Sequence, residues 1–149
     1  MKAEKSKQNK NMLEIKSRTE NLAAIRSFIN SAATEAGLTK EVIDNIILAV
    51  DEACTNIIKH AYKYSPDGRI IITLKPDKKT FTVEIIDYGK SFDPNIVPNP
   101  DLQKYVDQGR VGGLGMYLMK TLMDEVKYYS VPGKFNQVSL SKYINSNGR

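Results

Sequence analysis

The hydrophobic period of this chain changes once near its middle, and that change limits the folds open to it. Between Ser17 and Tyr62 apolar residues recur every three or four positions, the spacing of helices; from Arg69 to Asp87 they alternate, the spacing of strands. Leu22, Ile25, Phe28, Ile29, Ala32 and Ala36 form the stripe of a first helix, opened by a capping box from Ser17 to Glu20 and closed at Gly37. Thr39 caps a second helix, Glu41 to about Tyr62, whose buried stripe is Val42, Ile46, Val50, Ala53, Ile57 and Ala61. After the turn Ser65-Pro66-Asp67-Gly68, Arg69 to Lys75 and Thr80 to Asp87 read as a hairpin turning at Pro76-Asp77. Met12 to Lys16 is a short strand ahead of both helices. From Tyr88 to Val111 neither period holds and Pro94, Pro98 and Pro100 break the chain, which marks a loop of lid length. A helix carrying Leu114, Leu118 and Leu122 follows, then strands near Glu125–Val131 and Asn136–Ile144 around Pro132-Gly133. Runs of helices beside runs of strands predict an α/β (α+β) two-layer sandwich, a mixed but mainly antiparallel sheet with helices on one face.

Composition narrows the class. A chain of 149 residues with 41% hydrophobic and 26% charged residues suits one globular domain, here 12–146, and excludes a wholly disordered protein. The net charge of +5 is mostly local: residues 1–11 hold four lysines against one glutamate, which leaves the remainder at +2. That segment reads as a disordered basic tail. No basic stripe with interleaved aromatics occurs in the body, so nucleic acid is not expected as a partner. The lone Cys54 rules out an internal disulfide and a multi-cysteine zinc site, and fits the cytoplasm. The longest apolar run, Ile46 to Val50, is far short of the ~20 residues of a membrane span, and no apolar segment follows the basic start as in a secretory signal. No membrane association is expected.

Three places carry residues with chemistry. On the second helix Asn45, Ala49, Glu52, Asn56 and His60 share a face, and Glu52 and Asn56, four apart, stand one above the other. This is either an ordinary solvated face or a working one. An asparagine oxygen is a hard neutral ligand that suits Mg²⁺ beside water and phosphate oxygens, and a glutamate can take a proton from an attacking hydroxyl. Lys59 is placed to reach a phosphate as a flexible point charge. His60, the only histidine, makes no multi-histidine metal site and is read as structural. The hairpin ends in Asp87-Tyr88-Gly89. Asp87 is either a turn residue or an acceptor for an exocyclic amine at the mouth of the core, with Gly89 admitting a flat ligand close to the backbone. Finally, Gly109, Gly112, Gly113 and Gly115 precede a helix, either as a hinge or as a phosphate cradle of free N–H groups. Neither a Walker A lysine nor a βαβ setting accompanies them. Arg110 among them is a candidate for stabilising transferred phosphoryl charge.

Together, Asp51-Glu52-Ala53-x-x-Asn56-x-x-Lys59-His60-Ala61-Tyr62, Asp87-x-Gly89 and Gly112-Gly113-Leu114-Gly115-Met116 resemble the N, G1 and G2 boxes of the GHKL ATPase superfamily, with its Bergerat fold. Within it the chain is most similar to the bacterial anti-sigma-factor serine/threonine kinases, from about Met12 to Ile144. The resemblance implies ATP and Mg²⁺ as cofactors. It makes Glu52 the general base or the residue that orients the nucleophile, and Asn56 the Mg²⁺ ligand, with Lys59 near the phosphates. Asp87 would recognise the adenine amine beside Gly89. Gly112, Gly113, Leu114, Gly115 and Met116 would line the phosphate end, with Gly113 and Gly115 contacting it through the backbone, under a lid of about 90–111 carrying Arg110. Where such kinases often have a Gly-Thr pair, this chain has Gly133-Lys134-Phe135-Asn136-Gln137, with Asn136 as the candidate replacement for the hydroxyl.

The implied activity is phosphorylation of a serine or threonine on a STAS-domain anti-anti-sigma protein, coupled to sequestration of a sigma factor, by a homodimer. Histidine kinases fit less well because no helix hairpin with a phosphorylatable histidine is present, and gyrase-like relatives need further domains. The alternative is a nucleotide-binding interaction module of the same fold that sequesters a partner without chemistry.

Overall fold

The computed structural model describes residues 7–75, 77–91 and 115–144. In them a six-stranded sheet runs in the order β1-β2-β3-β4-β6-β5. The strands are β1 (Lys7–Asn9), β2 (Met12–Lys16), β3 (Arg69–Lys75), β4 (Thr80–Asp87), β5 (Glu125–Val131) and β6 (Phe135–Tyr143). Every neighbouring pair is antiparallel, so the described sheet contains none of the parallel pairing that a mixed sheet allows. The helices are α1 (Leu22–Glu35), α2 (Lys40–Asn56) and α3 (Gly115–Leu122).

Register explains the core. Leu13, Ile72, Ile85, Val138 and Tyr128 lie side by side across β2, β3, β4, β6 and β5, and Leu74, Val83, Leu140 and Val126 form the next row. Strand alternation sends both rows to one face, where they merge with the buried sides of α1, α2 and α3 in a single apolar cluster. Each fully buried isoleucine or leucine there contributes roughly 1.5–3 kcal/mol. Cys54 is buried within this cluster, and its thiol pKa is pushed up by burial and by the charges of Asp51 and Asp87. No helix among the described residues is long and apolar enough to cross a membrane.

Several local expectations hold. Thr39 Oγ1 accepts from Val42 N at 3.3 Å as the N-cap of α2, and Gly37 takes φ +87° after α1. In the β3–β4 turn Asp77 Oδ1 accepts from Lys79 N at 2.8 Å. Others are corrected. Ser17 does not cap α1: its hydroxyl donates to Ser65 O and accepts from Gly68 N, tying β2 to the turn before β3, and a 3₁₀ turn, Thr19–Asn21, leads into the helix. Ala33 rather than Ala36 closes the buried stripe of α1. Part of the expected tail is ordered: Lys7–Asn9 pairs with β2 as an edge strand, its turn held by Asn9 Oδ1 accepting from Asn11 N at 2.8 Å.

The second helix buries more than one stripe, adding Ile43, Ala49, Cys54 and Asn56, because α1 and α3 flank it on two sides. Among the described side chains of α3 Met119 is buried, followed by Met123, while Leu122 is half-buried; Leu114 and the side chain of Leu118 lie outside those described.

Candidate functional site

The apolar face of the sheet turns polar at one end. The row beyond Leu13–Ile72–Ile85–Val138 reads Ile15, Ile70, Asp87, Asn136 and Ser130 across five strands. Asp87 is 2% exposed and ends β4 on the core-facing side. A carboxylate so placed needs donors. Its Oδ1 accepts from Gly89 N at 2.9 Å and from Asn136 Nδ2 at 2.9 Å, whereas no hydrogen bond from the described residues reaches Oδ2. Burial raises its pKa, and the bonds from Asn136 and Gly89 oppose that rise.

The end of α2 roofs this row. Its final turn widens into a π-helical turn, Ile57–Ala61, closed by Tyr62 N donating to Ile57 O at 3.0 Å. Such turns commonly sit at functional sites. The widening carries Tyr62 to where its hydroxyl donates to Arg69 O at 2.6 Å and accepts from Tyr88 N at 2.8 Å. The chain leaving β4 seats on the same turn through Lys90 N donating to Ala61 O at 2.8 Å. Gly89 is fixed by this contact: a Cβ there would lie 2.6 Å from Ala61 O and 2.7 Å from Ala61 C. Gly89→Ala must displace backbone, and an overpacking cost of about 1–3 kcal/mol should lower the unfolding temperature by several degrees in a thermal melt. An unchanged melting temperature would contradict the contact.

On α2, Asn56 is 9% exposed and its carboxamide receives no hydrogen bond from the described residues, which leaves a neutral oxygen for a ligand. Glu52, one turn back, is half-buried. Its pKa is raised first by burial and then by Asp51, and lowered by Lys59, so Glu52 and Lys59 share one locality. Asp51 is itself clamped by Arg26 from α1, Nε lying 3.2 and 3.1 Å from its two oxygens. His60 is exposed.

The structure therefore brings Glu52, Asn56, Lys59, Asp87 and Gly89 to one end of the sandwich, around the C-terminal half of α2. Gly115 and Met116 begin α3, so a glycine does open a helix. Arg110, Gly112, Gly113 and Leu114, and the lid apart from Lys90 and Ser91, lie outside the described residues. Three further residues belong to this end. Asn136 also donates to Gly89 O at 3.1 Å, and its Oδ1 accepts from Ser91 Oγ at 2.7 Å and Ser130 Oγ at 2.6 Å. Asn136 was signalled by the missing Gly-Thr pair; the two serines carried no sequence signal.

Residues 15–142 match the family model of the histidine kinase-like ATPase domain. The chain is 37% identical over 146 residues to the serine-protein kinase RsbW of Bacillus subtilis, across 93% of this chain and 89% of that protein. It is 36% identical over 138 residues to the RsbW of Listeria monocytogenes, across 89% and 86%. This chain belongs to the RsbW serine-protein kinase family. It is accordingly a protein serine/threonine kinase on an ATP-binding histidine kinase-like domain. A chain in the crystal structure of the SiaB–SiaC complex from Pseudomonas aeruginosa shares the fold, with TM-score 0.55 and 12% identity over 89% of each chain. In this RsbW-family kinase Asn136 stands beside Asp87 and Gly89, bonded to both.

Proposed function

We propose that this kinase acts as an anti-sigma factor: it transfers the γ-phosphoryl of ATP to a serine or threonine of a STAS-domain anti-anti-sigma protein and otherwise sequesters a sigma factor. It would do so as a homodimer in the cytoplasm. The observation that carries the reading is the buried carboxylate of Asp87, held by two donors on one oxygen with the other left as acceptor, beneath the helix that bears Glu52 and Asn56. An adenine amine satisfies such an acceptor.

The donor set fits a magnesium nucleotide. No cluster of three or more His, Cys, Asp or Glu suited to a metal occurs among the described residues. Asn56 offers a single neutral oxygen, and Mg²⁺ is commonly held by few protein ligands with water and phosphate oxygens completing its shell. Asn56 would hold Mg²⁺ there, and the ion would supply neutralisation of developing phosphate charge. The chain's own residues do the rest. Lys59 draws the phosphates toward Glu52. Glu52 accepts the proton of the partner's hydroxyl as that oxygen bonds to the γ-phosphorus and the bond to the ADP oxygen breaks. The N-terminus of α3 at Gly115 would add positive dipole at the phosphate end, and the roles that the family resemblance gives Gly112, Gly113, Leu114 and Met116 as phosphate contacts, and Arg110 as a partner of the transferred group, are part of this proposal.

Titrating Mg-ATP calorimetrically into the protein, then following phosphate incorporation into a STAS-domain partner by intact mass, tests the reading. Binding without transfer to any such partner would favour the sequestering module; no binding would end the nucleotide reading. The pH profile is a further check. Glu52 must be ionised to act, so the rate rises with pH through its pKa. Asp51→Asn removes a charge that raises that pKa, so the ascending limb is expected to move to lower pH. A limb that stays or moves upward would remove Glu52 as the titrating base.

A further inference from the structure

Asn136 spends all four of its hydrogen-bonding capacities. Both amide hydrogens are given, to Asp87 Oδ1 at 2.9 Å and Gly89 O at 3.1 Å, and the oxygen takes two hydroxyls, Ser130 at 2.6 Å and Ser91 at 2.7 Å. The orientation of the amide is forced. On one side stand a carboxylate and a carbonyl, which only accept; on the other stand hydroxyls, which can donate. The two hydroxyls also lie 2.9 Å apart, but they have two protons between them and both go to Asn136. The strand register supports the arrangement, since Asn136 sits directly opposite Asp87 on β4 and Ser130 on β5.

We infer that Asn136 is the base-specificity residue of this kinase: it pins Oδ1 of Asp87, leaves Oδ2 as a pure acceptor, and so selects a 6-aminopurine over a 6-oxopurine. The inference rests on the adenine-binding reading of Asp87. Its chemistry follows from what Asn136 prevents. With Gly89 N as sole donor and the same burial, one of the two bonds that oppose the rise in the Asp87 pKa is gone, and the balance shifts toward the neutral carboxyl. A neutral carboxyl can donate to a 6-oxo group as readily as it accepts from a 6-amino group, and selectivity is lost. Ser130 and Ser91 are positioning residues that hold the amide the right way round.

The test is calorimetric titration of ATP and of inosine triphosphate into the full chain and its Asn136 variants, with thermal melts alongside. The wild type is expected to favour ATP by on the order of 100-fold or more. Asn136→Ala should weaken ATP by roughly 10- to 100-fold and inosine triphosphate by less than about threefold, collapsing the ratio. Asn136→Thr and Asn136→Val, alike in shape, isolate the donor: the threonine hydroxyl should hold most of the ratio and valine should lose it. Equal ratios in that pair, or equal weakening of both nucleotides in a folded Asn136→Ala, would overturn the assignment of Asn136 alone. A wild type that binds neither nucleotide would overturn the Asp87 reading on which it stands.

Discussion

Glu52→Gln is expected to cut phosphoryl transfer by roughly 100- to 10,000-fold, the range for loss of a general base, while ATP affinity stays within about threefold. The substitution keeps shape and hydrogen-bonding reach but cannot take up a proton. Glu52 is half-buried at the edge of the α2 face, outside the apolar cluster, so the fold has little stake in its charge. Removing a negative charge near the bound phosphates should, if it changes binding at all, tighten it. Single-turnover transfer to the partner, with ATP binding measured in parallel, separates the chemical step from affinity. If affinity and transfer fall together, Glu52 is a binding residue and the base must be sought elsewhere.

Asp87→Asn should have the second large effect: ATP affinity falling by roughly 100-fold or more, with preference turning toward inosine triphosphate. The new side-chain oxygen can still accept from Gly89 N and Asn136, which leaves an NH₂ where Oδ2 was. That group repels a 6-amino substituent and donates to a 6-oxo one. Stability should move the other way. The folded state raises the Asp87 pKa above the ordinary 3.8. Its contribution to stability is therefore present below the unfolded value and lost as pH rises through the folded one, so at neutral pH the charged form is a burden. A neutral asparagine lifts that burden, and the variant is expected to melt at or above the wild-type temperature. Lower affinity with a lower melting temperature would mean that misfolding, not lost recognition, explains the defect.

What could be read in advance follows how local each signal is. β3 and β4 have the bounds expected because period-two alternation and adjacent turn residues both lie within a few positions of each strand. Glu52, Asn56, Lys59 and Asp87 were legible because polar residues at helical spacing, and a carboxylate closing an apolar strand, stand out against their neighbours. Ser17 was misread because Ser65 and Gly68, which engage its hydroxyl, are some fifty residues away in sequence. Three polar residues, Lys7–Asn9, carry no alternation that would announce an edge strand. Glycine at 89 looked like an opening for a ligand, whereas the backbone it accommodates in the structure is that of Ala61. The Asn136 network depends on cross-strand register, which no local pattern states.

The interior position of Cys54 gives this protein a built-in clock. It is the sole cysteine, wholly enclosed, with its thiolate disfavoured by burial and by two nearby carboxylates. A thiol reagent can reach it only when the middle of the molecule opens, so in the limit of fast reclosing the labelling rate reports the equilibrium population of the open form. Any nucleotide that binds only the closed form slows labelling by one plus its concentration over its dissociation constant. Occupancy of the site could thus be timed chemically, in the unmodified chain, without a dye or an engineered probe.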